Sequence, residues 1–388
     1  MEFTLTKSQK EIQKAVLEFA KGEFDKEFGL DCERNGTYPT QLLEKACDLG
    51  FIGIHYPEDY LGAGLGLFEN CLVAETLCRK DSTLGLALTL TAYGAECILR
   101  FGTDDQKGRY LQKIAEGKLF SGAAFTDAGM GYDFRKLGTT AVKENDQWVI
   151  NGKKSLVLNG GTAGVYVVLC RTGAEDEAPE KNLSMFIVEA DAPGLLCENA
   201  GARISCNPLS AADLTFANVR VPDTNRLGEM GGGHKILQHF LSEFRVVLAA
   251  QAVGIAQGAY DRALAYSRER VQFGKSIGEF QIMAHKLADM ARQIEYARTL
   301  TWKAAWLFDK GDLDAAMAAM AAMAKLTATQ AAMQVTYEAV QIHGGYGFMT
   351  EYEVEHFYRD AKFTELFCGN SNAQRDTIAS SIFGKRKS

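Results

Sequence analysis

Gln147-Trp148-Val149-Ile150-Asn151-Gly152 and Val165-Tyr166-Val167-Val168-Leu169-Cys170 decide the fold class, because they interrupt a chain that otherwise reads as helix. With Thr140-Ala141-Val142-Lys143 and Leu183-Ser184-Met185-Phe186-Ile187-Val188 they form short runs rich in β-branched and aromatic residues, parted by Gly, Asn and Asp. That is the composition of strands and tight turns. Asn145-Asp146 and Asn151-Gly152 read as hairpin turns. Strands this closely spaced predict a small antiparallel sheet or barrel.

Outward from this segment the apolar period becomes helical on both sides. Leu5 to Phe24 carries Ile12, Val16 and Phe19 on one face, and Gln41 to Gly50 ends in a capping glycine. Tyr56-Pro57-Glu58-Asp59-Tyr60-Leu61-Gly62-Ala63-Gly64 reads as a loop, and Leu67 to Phe101 as helix again. All six prolines lie at or before Pro222. A proline inside a helix costs about 3 kcal/mol, so the proline-free remainder is free to form long helices. Ala315 to Ala332 is almost pure helix former, and its Met317, Met320 and Met323 read as packing surface. The expected fold is α+β, with an N-terminal helical domain over 1–120, a β domain over 121–230 and a C-terminal four-helix bundle over 231–388.

Net charge of −7 without a basic cluster argues against nucleic acid as a partner. No apolar run reaches the 18–20 residues of a membrane span, and Met1-Glu2-Phe3-Thr4 lacks the basic start of a signal peptide. A cytoplasmic, membrane-free protein is expected. The nine scattered cysteines include no C-x-x-C pair and the six histidines show no ligand spacing, so reduced thiols and no metal site are expected.

Five motifs then carry a resemblance. Phe125-Thr126-Asp127-Ala128-Gly129-Met130-Gly131-Tyr132-Asp133 is similar to a T-E-P-x-x-G-S-D segment, and Val219-Arg220-Val221-Pro222 to V-x-V-P. Arg270-Val271-Gln272-Phe273-Gly274 resembles R-x-x-F-G, Gln341-Ile342-His343-Gly344-Gly345-Tyr346-Gly347 resembles Q-x-x-G-G-x-G, and Tyr358-Arg359-Asp360-Ala361-Lys362 resembles Y-R-D-A-K. In this order, over nearly the whole chain, they are the marks of the FAD-dependent acyl-CoA dehydrogenases. The resemblance implies removal of a proton from Cα of an acyl-CoA thioester, hydride transfer from Cβ to FAD, and re-oxidation by an electron-transfer flavoprotein. It also implies a tetramer in which one subunit holds the flavin ring and its neighbour the pyrophosphate and adenosine.

On the neighbour side it assigns Arg270, Phe273, Gln281, Gln341 and the Gly344-Gly345 pair to the cofactor; Thr126 belongs to the ring side, and Arg245 and Tyr132 to substrate. The ring side departs from the family. The strand W-I-T-N-G is here Leu156-Val157-Leu158-Asn159-Gly160, and the serine of G-S-D is Tyr132. The glutamate that serves as base is replaced by Cys368, a thiol whose usual pKa near 8.5 suits C–H abstraction poorly. The alternative base position, before Arg245, is Phe244; Glu243 lies one residue away, about 100° around a helix, and Glu365 lies three residues before Cys368. Two functions remain open: an acyl-CoA dehydrogenase with an atypical site, or a flavin-poor, non-catalytic subunit lending neighbour-side contacts to a sister subunit.

Overall fold

A computed structural model describes residues 4–311 and 314–384; Met1–Phe3, on which the reading of the N-terminus partly rests, lie outside the described residues. Seven helices precede the strands: α1 (Lys7–Glu23), α2 (Lys26–Asn35), α3 (Thr40–Asp48), α4 (Leu67–Lys80), α5 (Ser82–Thr89), α6 (Ala95–Phe101) and α7 (Asp104–Ala115). α1 starts where Thr6 and Gln9 cap each other's backbone, and buries Val16, Phe19 and Ala20. The single helix expected over Leu67–Phe101 is three. Asp81 stops α4 in extended conformation and accepts the Leu84 N–H to start α5, and Gly94 turns the chain at φ +103° into α6.

The strands are β1 (Ser121–Ala124), β2 (Thr140–Glu144), β3 (Gln147–Leu158), β4 (Val165–Arg171), β5 (Leu183–Glu189), β6 (Leu195–Asn199), β7 (Ala211–Pro222) and β8 (Arg226–Leu227), with the short helix α8 (Pro179–Asn182) before β5. They make one sheet in the order β6-β7-β3-β2-β4-β5-β8, with β1 beside β4. It is mostly antiparallel, but β4 pairs in parallel with β1 and with the start of β2, a correction to the all-antiparallel expectation. Asn145-Asp146 is the expected hairpin, with Glu144 facing Gln147. Asn151-Gly152 is not a turn: it lies inside β3, where the register against β7 slips between Ile150 and Gly152. Gly152 sits at φ +146°, and a Cβ there would meet the Thr139 Cα at 2.6 Å. The same dipeptide that favours a turn here forms a bulge.

β4 shows why its run is apolar throughout. Tyr166, Val168 and Cys170 enter the core under the sheet with Trp148, Ile150 and Phe186. Val165, Val167 and Leu169 face the other way, into a core continuous with the bundle. That bundle comprises α9 (Gly233–Glu269), α10 (Gln281–Asp309), α11 (Ala315–His343), α12 (Val354–Leu366) and α13 (Ser371–Phe383), with the small hairpin β9 (Val271–Gln272) and β10 (Lys275–Ser276) after α9. Met317 is buried, and Met320 and Met323 are half-buried. α9 holds an 18-residue window of mean hydropathy 1.2, and 94% of that window is buried inside the fold, as in a core helix. Seven of the nine cysteines are buried, and all nine are free thiols.

Candidate active site

Three faces of α9 set out the site, as 100° per residue dictates. Gln238, Leu241 and Arg245 line an open cleft of about 1050 Å³, together with the loop after β1, the 175–180 loop and the first turns of α13. Phe240 and Phe244 stack with ring centroids 5.5 Å apart, and Tyr93 meets them edge-on at 5.4 and 4.8 Å. Phe367 closes on Tyr93 at 5.0 Å, completing an aromatic wall. The third face carries His239 and Glu243. Glu243 is fully buried and takes the Arg100 guanidinium at 2.6 and 3.3 Å. Its carboxylate lines neither of the cavities beside Cys368.

A second, smaller cavity of about 340 Å³ shares Gly131, Tyr132, Phe134 and Leu241 with the cleft. Thr126, Leu156, Leu158, Phe367 and Cys368 are among its walls. The only carboxylate in that lining is Asp127, and it is fully engaged. It accepts from Lys154 Nζ at 2.7 Å, from the N–H groups of Gly138 and Thr139, and from the Thr139 hydroxyl. Leu156 stands at φ +53° and is 67% exposed. Glu365 is turned away, bound by Lys362 Nζ at 2.5 Å and by the Ser371 hydroxyl.

Cys368 follows α12 at φ +53°, in a loop held from below. The Lys325 ammonium donates to the carbonyls of Glu365 and Gly369 at 2.8 Å each. The Gln374 amide donates to the carbonyls of Cys368 and Gly369, and the Tyr132 hydroxyl takes the Gly369 N–H. Burial pushes the Cys368 thiol above its usual pKa, although Arg245 and Lys325 pull the other way. Burial likewise lowers Lys325 to about 8. Lys325 escaped the sequence reading; its signal was a lone lysine inside an Ala- and Met-rich helix, Ala315–Ala332.

The motif residues of the C-terminal bundle gather elsewhere. A groove of about 620 Å³ is lined by Tyr266, Arg270, Gln341, Gly344, Gly345 and Tyr346. Arg270 lies 5.5 Å over the Tyr346 ring. Phe273 occupies the tip of the β9–β10 hairpin at φ +53° and is 92% exposed; Gln281 is exposed at the start of α10. Gly344 adopts φ +60°, ψ −135°, a region only glycine occupies readily. Nothing lies within 4 Å of a Cβ at Gly344 or Gly345, so both open outward. Leu241 lies two turns into α9 and Arg270 is the residue that caps its far end, roughly 43 Å away at 1.5 Å per residue. An extended dinucleotide does not span that distance within one chain.

Three family profiles match the chain: "Acyl-CoA dehydrogenase, N-terminal domain" over residues 6–118, "middle domain" over 122–219 and "C-terminal domain" over 231–383. The short-chain specific acyl-CoA dehydrogenase of Clostridium acetobutylicum is 36% identical over 384 residues, covering 99% of this chain and all of that one. A chain from the structure described as the electron transferring flavoprotein of Acidaminococcus fermentans superposes with TM-score 0.93 at 36% identity, over 99% of this chain and 100% of its own. The FAD complex of PigA superposes with TM-score 0.92 at 27% identity, over 98% and 99% of the two chains.

Proposed function

The chain belongs to the acyl-CoA dehydrogenase family, and on that premise we propose that it is an FAD-dependent oxidoreductase dehydrogenating a compact acyl-CoA thioester in the cytoplasm, with an electron-transfer flavoprotein as its electron acceptor. The residues present fit a flavin held by two subunits. Thr126 and the strand end at Leu156–Leu158 face a ring-sized cavity in one chain. Arg270, Phe273, Gln281, Gln341 and the Gly344-Gly345 turn offer a cation, an aromatic face and open backbone to the pyrophosphate and adenosine held mainly by the other. The 43 Å between these surfaces on α9 supports sharing across an oligomer, a tetramer in this reading.

FAD, when bound, supplies the acceptor for a hydride leaving Cβ of the thioester. The chain's own residues do the rest. Tyr93 and Phe367, backed by Phe240 and Phe244, give the cavity of about 340 Å³ an apolar wall that excludes water and favours a compact acyl group. Cys368 stands at the base position, where its thiolate form would accept the Cα proton and become the thiol, while Glu243 and Glu365 hold Arg100 and Lys362 instead. The observation that carries this reading is Cys368 in the wall of a cavity whose one carboxylate, Asp127, is committed to Lys154. Burial raises the thiol's pKa and leaves only a small thiolate fraction, so slow turnover is expected. Cys368→Glu tests the assignment: with pentanoyl-CoA and a dye acceptor it should raise kcat by roughly 10²–10⁴, the range of general-base catalysis. A flavin-loaded variant no faster than the parent would refute residue 368 as the position facing Cα.

One observation favours a second reading. The neighbour-side residues are intact and exposed, whereas the ring side has lost its aromatic platform and hydroxyl to Leu156 and Leu158. As a flavin-poor subunit, the chain would lend Arg270 and its companions to a sister carrying the glutamate. Flavin absorbance per chain, expressed alone and with such a sister, separates the two: one flavin per chain alone excludes the second.

A further inference from the structure

A thioester in this site lies across a neck. Its acyl carbons belong in the inner cavity with Cys368 and the rest of CoA in the open cleft, so the thioester group itself joins the two spaces. Among the described residues the two share Gly131, Tyr132, Phe134 and Leu241. Of these four, Tyr132 has the only side chain able to donate a hydrogen bond. Thr126 lines the cavity alone, and Gln238 and Arg245 the cleft alone. The Tyr132 ring is set against the loop that carries Cys368. Its hydroxyl accepts the Gly369 N–H, and its Cζ stands 3.6 Å from where a Cβ at Gly369 would be. Met130, buried in the core, and Asp133, which caps the turn at Phe134–Lys136, anchor the chain on either side. An oxygen that accepts from an amide still has its own proton to give, and gives it more strongly for being polarised. Burial raises the phenol above its ordinary pKa, so that proton is kept at neutral pH.

We infer that Tyr132 is the electrophile of the site, its hydroxyl donating to the thioester carbonyl oxygen as Cα is deprotonated. This rests on the dehydrogenase reading above and adds to it a residue for the charge that reaction creates. The Cα–H bond breaks, its proton passes to the Cys368 thiolate, and its electron pair moves through Cα onto the carbonyl oxygen. Tyr132 holds that oxyanion by a hydrogen bond and keeps its own proton. As the hydride leaves Cβ, the pair returns from the oxygen, the carbonyl is restored and the Cα=Cβ bond closes. Such help matters most where the base is scarce, because a donor on the oxygen makes Cα more acidic. A serine at 132, the residue of the family motif, would hold its hydroxyl a ring's length nearer the backbone.

The test reads the oxyanion directly. Acetoacetyl-CoA is a compact β-ketothioester whose enolate absorbs at longer wavelength than its keto form, so its enolisation on the flavin-loaded protein can be titrated with pH. Tyr132→Phe should raise that midpoint by about two pH units and lower kcat for pentanoyl-CoA by about a hundredfold, with KM little changed, as loss of one oxyanion donor does. Tyr132→3-fluorotyrosine, a stronger donor of nearly the same shape, should lower the midpoint instead. A residue that merely holds the Gly369 loop leaves the midpoint unmoved in both variants even if turnover falls, and that result overturns the inference. Should the phenylalanine variant not fold, the fluorotyrosine protein decides alone: a midpoint that stays or rises refutes the donor. If neither thioester binds the flavin-loaded protein, the dehydrogenase reading fails and this role with it. If both bind and the midpoint is indifferent to residue 132, only the role of Tyr132 is refuted.

Discussion

Glu96 offers the sharpest test of the electrostatics. It lies in the first turn of α6, buried, with Oε2 unpartnered. Burial first, and then the neighbouring Glu243 carboxylate, raise its pKa from 4.5 to about 8. The folded chain therefore keeps a proton that the unfolded chain has lost, and stability must fall as pH rises between those values. The window can be narrowed. His55, lowered to about 4 by burial, gives the opposite slope but only below its usual 6.5. Asp360, raised to about 6, is mostly titrated by then, and Lys325, lowered to about 8, opposes the loss only as pH nears 8. From pH 6.5 to 8 the Glu96 contribution should fall by about 1.5–2 kcal/mol, at about 1.4 kcal/mol per unit less the half-titration at the end. Glu96→Gln keeps the shape and abolishes the proton. Urea midpoints of both proteins at pH 6.5 and 8.0 measure the difference, with the variant losing far less than the parent. Parallel losses in the two proteins would refute the placement of a protonated carboxyl in this core.

Two further substitutions test parts of the site framework. Lys325→Met should free the carbonyls of Glu365 and Gly369 and loosen residues 366–370, seen as faster amide exchange there, with a stability loss of about 1–3 kcal/mol for the unsatisfied acceptors; unchanged exchange would mean that Gln374 alone holds the loop. Glu243→Gln should cost about 1.5–3 kcal/mol by weakening the bond to Arg100, measured by thermal unfolding, while turnover remains; abolished turnover in a folded protein would return Glu243 to the role of base.

The helix–strand–helix order was legible because the apolar period changes from 3.6 to 2 and back. What failed was local. Asn151-Gly152 has turn chemistry, yet β7 runs past it and converts it into a bulge, a decision made by the partner strand. Leu67–Phe101 keeps one apolar pattern across two breaks, because Asp81 and Gly94 redirect the chain without altering which residues are buried. In the site, the direction of Glu243 followed from helical geometry alone: one residue from Phe244 points it at Arg100. The role of Lys325 did not, since a lysine on a helix ordinarily reads as solvent-facing, and only the end of α12 explains its burial.

α9 is one rigid rod without a proline, reaching from the substrate cleft to the groove at Arg270. A rod of that kind is a lever. If the segment beside Arg245 tilts by about 5° when the cleft fills, its far end moves by about 3 Å over the roughly 37 Å arm. Under the shared-flavin reading proposed above, that end would face the adjoining protomer, and filling one cleft would be mechanically geared to the grip on the next subunit's flavin.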